Sequence, residues 1–231
     1  KEAPDIAQMN ARVAKMVEEA VQSDGVEEVF KMDENAGEKI DIFSEEYLER
    51  IDRIKLPNTK IKILQRLLKM AIDDFKKVNK VKGVDFTKRL QTIVDKYNER
   101  SEDMVLANDV LDDLAGQMAD LLRDLKTEKY SFEQLGIDFE EKSFYDILKE
   151  IRDKYKLEYP EEKLIALAKD IKIIVDDKAK YTDWSEREDI KAELKVDIIL
   201  KLAEHGYPPV TRDEVYKEIF EQAENFRRFR E

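Results

Sequence analysis

The chain has 231 residues, of which 42% are charged and 42% hydrophobic, with six glycines and five prolines; this composition favours long helices with heavily charged outer faces, and the length allows one large core or two small ones. It has no cysteine and a single histidine, His205, which excludes disulfides, thiolate metal sites and the usual zinc ligand sets. No apolar run approaches the roughly 20 residues of a membrane span, no signal-peptide hydrophobic region follows Lys1, and the net charge of -12 opposes indiscriminate affinity of the whole chain for nucleic acid.

From Ala3 to Gln22 the apolar positions Ile6, Met9, Val13, Met16 and Ala20 keep a helical period, and Gly25 lies beyond the end. Lys1 stands at the head of that pattern, which predicts a piece excised from a longer chain. Turn formers fill residues 33 to 39, and FSEEYLERIDRI, from Phe43, predicts a short helix with Ser44 as N-cap, ended by Leu56-Pro57. Asn58 then caps TKIKILQRLLKMAIDDFKKVNK, whose Ile61, Leu64, Leu68, Ala71, Ile72 and Phe75 form one stripe with lysines opposite. Gly83 marks a tip, and Asp85 starts a second helix with Phe86, Leu90, Ile93, Val94 and Tyr97 on one side, so the pair reads as an antiparallel hairpin. From Ser101 onward, Met104, Ala107, Leu111, Leu114, Met118, Leu121 and Leu125 alternate spacings of three and four, a bundle seam that packs on the hairpin.

The stretch KTEKYSFEQLGID, residues 126 to 138, carries turn signals at Ser131 and Gly136 and divides an N-terminal subdomain, 1–130, from a C-terminal one, 131–231. Beyond it come FEEKSFYDILKEIRDKYK and a helix with Pro160 in its first turn and Leu164, Leu167, Ala168, Ile171, Ile174 and Val175 on its face. Ser185 with Glu188, and Thr211 with Glu214, have capping-box spacing. Between them Leu194, Val196, Ile198, Ile199, Leu200, Leu202 and Ala203 occupy nearly the whole circumference of a helix, which predicts that residues 185 to 205 are enclosed on most sides. Strand patterns are absent, so the fold class is all-α with two helical subdomains.

The chemistry-bearing signals are few. The glycines, at 25, 37, 83, 116, 136 and 206, are all isolated, so no phosphate-cradling loop is present. Asp183 followed by Glu193-Leu-Lys195 imitates a metal-nuclease signature, but residues two apart lie about 200° apart on a helix, so acid and lysine diverge. The pairs Asp73-Asp74, Asp112-Asp113 and Asp176-Asp177 read as solvated faces. His205, just before Gly206, reads as a helix C-terminal cap rather than a general base. No catalytic residue, metal ligand or cofactor is therefore expected in this chain. Trp184 reads first as core or as a staple onto the next helix, and second as a partner anchor. With Tyr181 before the central helix and His205 and Tyr207 after it, it forms two ends suited to docking.

One basic segment sits on the acidic body: residues 51 to 100 hold 14 Lys or Arg against 6 Asp or Glu. Lys60, Lys62, Arg66, Lys69, Lys76, Lys77, Lys80, Lys82, Lys88 and Arg89 lie on the outer faces and tip of the hairpin, where they are candidates for a phosphate backbone. The alternative is a solvated face paired with the acidic remainder. Base stacking is poorly supported, because Phe75, Phe86 and Tyr97 belong to the apolar stripe.

The segments LPNTKIKILQRLLKMAI, VDFTKRLQTIVDKYNER, FYDILKEI, YPEEKLIALAKDIKIIVDDKAKYTDWSEREDIKAELKVDIILKLAEHGYPP and RDEVYKEIFEQAENF resemble the C-terminal helical region of the motor (restriction) subunit of type I restriction-modification enzymes. The likeness runs from Glu38 to Phe226 and is most specific from Tyr181 to Pro209. It implies a non-catalytic part of an ATP-dependent DNA translocase and endonuclease, whose nuclease and ATPase motifs, with ATP and Mg2+, lie elsewhere in the subunit. It further implies assembly with the methyltransferase and specificity subunits, weak non-specific contact with double-stranded DNA, no membrane, and a bacterial or archaeal cytoplasm. The competing reading is an autonomous all-helical scaffold or adaptor unrelated to restriction.

Overall fold

The computed structural model describes residues 43–54, 56–99, 108–181, 183–209 and 212–229. These form eight helices, α1 (Glu45–Asp52), α2 (Pro57–Val78), α3 (Lys80–Asn98), α4 (Asn108–Leu135), α5 (Phe139–Lys154), α6 (Glu161–Lys178), α7 (Glu188–Glu204) and α8 (Arg212–Phe229), and no strand among the described residues. The all-α expectation holds. The helix expected over residues 3–22, the loop at 33–39, Met104, Ala107 and the cap at Thr211 lie outside the described residues. The chain divides into two compact units: Lys1–Asp74 with Val84–Lys129, and Phe75–Gly83 with Tyr130–Glu231.

In the first unit Ser44 caps α1, its Oγ accepting from the Tyr47 N–H at 3.2 Å. Pro57 opens α2 rather than ending α1, because the first helical position needs no N–H. Asn58, expected as a cap, lies inside that first turn and accepts a hydrogen bond from Tyr97 Oη at 3.0 Å, which ties the start of α2 to the end of α3 and makes the pair antiparallel. The stripes predicted for both helices are buried, as are Leu111, Leu114, Met118, Leu121 and Leu125 of α4. Ser131 does not turn the chain. It lies within α4, which continues to Leu135 and ends at Gly136, whose φ is 64°.

The break between α2 and α3 falls at Asn79, not at Gly83. Gly83 is helical, and a Cβ built on it stands 2.3 Å from Lys76 Cγ and 2.9 Å from Lys76 Cα, so glycine here permits close approach rather than a turn.

The second unit contains a ring of four antiparallel helices. Glu161 at the start of α6 accepts from Arg152 near the end of α5 at 2.7 Å, and Lys172 of α6 lies 3.4 Å from Glu140 near the start of α5. Lys178 of α6 meets Glu193 of α7 at 3.0 Å, and Lys195 of α7 meets Asp213 of α8 at 3.0 Å. Lys154 pairs with Glu214 at 2.6 Å, while Phe144 packs edge-on against Phe226 at 5.9 Å, so α8 closes back on α5. Leu148, Leu164, Leu167, Ile171, Leu194, Ile198, Leu202, Val215 and Ile219 fill the centre.

Helix α7 does not take the enclosed position that the sequence predicts, whereas helix α5, whose environment the sequence leaves open, does. Helix α5 is buried around its whole circumference from Lys142 to Leu148, although its composition is polar. Its second face meets Phe75–Gly83: Asp146 accepts from Lys142 Nζ at 2.6 Å and from Asn79 Nδ2 at 2.6 Å. Helix α8 grips the same tip. Gln222 donates to the Val78 carbonyl at 3.0 Å and accepts from the Lys80 N–H at 2.9 Å, and Asn225 donates to the Lys76 carbonyl at 2.7 Å. These bonds satisfy backbone groups that the helix break leaves open, which is what makes burying the tip affordable. Helix α7, expected to be enclosed, buries Ile190, Leu194, Ile198 and Leu202 but leaves Val196 55% and Leu200 57% exposed.

Candidate partner and nucleic-acid surfaces

The stretch around α7 is built by local bonds first. Lys180, Tyr181 and Asp183–Glu186 form turns, with Trp184 N–H donating to the Tyr181 carbonyl at 3.2 Å. Helix α7 starts at Glu188 after Arg187, so Ser185 is not its N-cap and the predicted box does not form there. A capping box does exist at Asp138 and Glu141 at the head of α5, where each side chain accepts from the other residue's N–H at 2.8 and 2.9 Å. Its D-x-x-E spacing was legible in the sequence.

Burial takes two of the four proposed docking residues out of reach. Trp184 is buried with its ring edge-on to Phe220 at 5.5 Å. Tyr207 is buried against Tyr159 at 5.1 Å and donates its hydroxyl proton to the Leu148 carbonyl at 2.9 Å. Both aromatics close the ring where its helices end, so they are core. Burial, with a smaller contribution from Tyr159, raises the Tyr207 phenol pKa well above its ordinary value. Tyr181 remains exposed beside Arg187, with the guanidinium 5.9 Å from the ring centre. His205 is the C-cap of α7, and its Nε2 lies 2.8 Å from Asp170 Oδ2 of α6, so the imidazole joins two helices.

An exposed aliphatic surface lies on the outer face of α6 and α7. Ala192, Val196, Leu200 and Ala203 are exposed on one side of α7, with Ile199 half-buried at its edge. Helix α6 supplies Ile173, 67% exposed. The register follows from the ion pairs on either side: Lys178 lies 3.0 and 3.4 Å from Glu193 and Asp197, and Asp170 lies 3.8 Å from Lys201. Ile173 therefore stands level with Leu200. The charges at the rim are already satisfied, Glu188 by Lys191 at 2.8 Å and Lys195 by Asp213 at 3.0 Å. An apolar centre inside a neutralised rim is the composition of a protein contact.

Glu193 and Lys195, two members of the nuclease-like spacing, turn to different helices, the first to Lys178 of α6 and the second to Asp213 of α8. Asp183 is exposed. Among the described residues no group of three or more His, Asp or Glu side chains is placed to hold a metal ion.

The ten basic candidates separate into three sets. Lys60 is held by Asp52 at 2.7 Å, Arg89 by Asp124, and Lys80 by Glu221. Lys76 and Lys77 are half-buried at the tip, with Lys77 Nζ 5.7 Å from the centre of the Phe229 ring; Lys82 is half-buried there too. Lys62, Arg66, Lys69 and Lys88 are exposed and have no carboxylate partner among the described residues. Phe75, Phe86 and Tyr97 are buried and present no face to a base.

The family model described as type I restriction enzyme HindI endonuclease subunit-like, C-terminal, matches residues 1–228. The chain is 27% identical over 210 residues to the type I restriction enzyme HindI endonuclease subunit of Haemophilus influenzae, covering 91% of this chain and 19% of that protein. It is 19% identical over 220 residues to a putative type I restriction enzyme MjaIXP endonuclease subunit of Methanocaldococcus jannaschii, covering 92% and 20%. No solved structure matches. The chain thus spans about a fifth of the length of either relative. The match over nearly its whole length displaces the unrelated-adaptor reading: the chain belongs to the family of C-terminal regions of HindI-like type I restriction enzyme endonuclease subunits.

Proposed function

We propose that the chain is the non-catalytic assembly region of a type I restriction endonuclease subunit and that it docks on the methyltransferase component, formed by methyltransferase and specificity subunits. The observation that carries this reading is the bare apolar face of Ile173, Val196 and Leu200. It lies within the Tyr181–Pro209 segment and the helix packed beside it, where ordinary surface residues would be charged like the rest of the chain. The methyltransferase component is its occupant in this reading because the family is that of a subunit of a multisubunit enzyme. In the same reading ATP and Mg2+ act on other parts of the subunit, in a bacterial or archaeal cytoplasm; no helix among the described residues is long and apolar enough to cross a membrane.

A pull-down tests it. The 231-residue chain should retain the assembled methyltransferase component, and Leu200→Lys with Val196→Lys should lose it while melting within a few degrees of the parent. Undiminished retention by that variant contradicts the reading. A second component, an auxiliary contact with DNA, is favoured by the exposed cations of α2 that have no carboxylate partner among the described residues.

A further inference from the structure

We infer that Lys62, Arg66 and Lys69 form one site for the phosphate backbone of duplex DNA, and that the lysines of the hairpin tip are not part of it. This rests on the DNA component of the proposed function and gives it a location and a mode.

The three residues stand at i, i+4 and i+7 of α2, within a stripe about 60° wide and about 10 Å long. All three are exposed. Behind them Ile61, Leu64, Leu67 and Leu68 are fully buried, so the helix that carries the charges is anchored in a core and presents them on a rigid support. Asp73 follows one turn after Lys69 on the same stripe and closes the track at that end.

What singles the stripe out is its local charge. In a chain with 54 acidic residues against 42 Lys and Arg, residues 53–72 contain no Asp or Glu, so the stripe is a local excess of positive charge. Lys60, just before the stripe, is engaged by Asp52 at 2.7 Å; Arg89 is engaged by Asp124, and Lys80 by Glu221. Lys62, Arg66 and Lys69 are consecutive outward positions left without such a partner among the described residues, so a phosphate gains their full attraction without breaking an internal pair. The tip differs, since its lysines flank a segment whose backbone is already bonded to Gln222 and Asn225.

The ligand class follows from what is missing as well. Binding of single strands draws on stacking of bases upon exposed aromatics. Phe75, Phe86 and Tyr97, the aromatics of these two helices, are buried, which leaves phosphate contact without base readout and points to duplex of any sequence. The net charge of -12 weakens binding elsewhere and confines the duplex to this stripe.

The test is the salt dependence of binding of labelled 30-base-pair duplexes of unrelated sequence to the 231-residue chain. Three phosphate contacts give a slope of log K against log salt of about -2.7, equal for all sequences. The triple variant Lys62→Gln, Arg66→Gln, Lys69→Gln should lose at least about tenfold in affinity at low salt and nearly all of the slope, with an unchanged melting temperature. Lys82→Gln at the tip and Leu200→Lys on α7 should bind DNA as the parent does. The inference is overturned if the parent binds no duplex, if the triple variant binds as tightly as the parent, or if Lys82→Gln is the variant that weakens binding. Loss of methyltransferase capture by the triple variant, with DNA binding intact, overturns it in favour of a protein contact, whereas failure of the docking reading shows in the pull-down alone.

Discussion

Gly136, Lys156 and Gly206 follow the last turns of α4, α5 and α7 with φ of 64°, 53° and 69°. Each end carries the same pair of bonds, as at α5, where the Leu157 N–H reaches the Arg152 carbonyl at 2.8 Å and the Lys156 N–H reaches the Asp153 carbonyl at 3.2 Å. Two ends use glycine, for which this conformation is free of strain, and one uses lysine, which bears a cost of about 1 kcal/mol there. Lys156→Gly should therefore raise unfolding stability by roughly 0.5–1 kcal/mol in a denaturant titration, whereas Gly136→Ala should lower it. The buried Tyr207 makes a pH prediction. Its pKa is raised above 10.0, chiefly by burial, so the folded state keeps the phenol neutral while the unfolded chain ionises it. The stability this confers is complete below pH 10 and falls as pH rises beyond it. Tyr159 is raised in the same direction by burial. Tyr207→Phe should flatten the alkaline limb and, having lost the bond to the Leu148 carbonyl, lower stability at neutral pH by about 1 kcal/mol. The burial of Trp184 was legible as the core or staple reading of that residue, whereas that of Tyr207 was not, because it depends on Tyr159, which tertiary packing alone brings to it.

At the scale of elements, the apolar stripes of α2, α3, α4 and α6 were readable because each faces one core and follows the helical period. The burial of α5 was not foreseen and that of α7 was overestimated, for opposite reasons. In α5 the polar residues Lys142 and Asp146 are buried because they satisfy each other and Asn79, a pairing across 67 residues that no local pattern encodes. In α7 the apolar circumference was taken to mean enclosure, but a helix can bury one face in its own fold and reserve the other for a partner. The two faces make a measurable contrast. Ile198→Ala and Leu202→Ala should each cost about 2–5 kcal/mol, as buried positions do. Val196→Ala and Leu200→Ala, on the exposed face, should stay within about 0.5 kcal/mol of the parent. Equal losses on both faces in chemical denaturation would mean that the outer face is covered by the chain itself. Gly83 adds a smaller lesson: the sequence offers a glycine near a hairpin tip, but the turn belongs to Asn79 and the glycine to the close passage of Lys76.

For the molecule as a whole, the resemblance to type I restriction subunits was carried by long stretches of sequence, and the family match extends over residues 1–228. The candidate docking surface was only half legible: the Tyr181–Pro209 segment was singled out, but Trp184 and Tyr207 within it are core, while Tyr181 and the aliphatic face of Val196 and Leu200 lie open. The 231-residue chain should neither hydrolyse ATP nor cleave DNA with Mg2+, since its glycines are isolated and Glu193 and Lys195 are drawn to separate helices. Turnover above a purified blank, abolished by Asp183→Ala or Glu193→Ala, would contradict this. If the outer face of α6 and α7 meets the methyltransferase component, as proposed, the absence of native cysteine allows a direct measurement. A thiol-specific photocrosslinker placed at Leu200→Cys or Ile173→Cys should join the chain to a subunit of the methyltransferase component, while the same reagent at the exposed Lys163→Cys or Lys217→Cys should not. Crosslinking from the two control positions, with none from Leu200→Cys and Ile173→Cys, would place the contact on another surface and contradict the proposed docking.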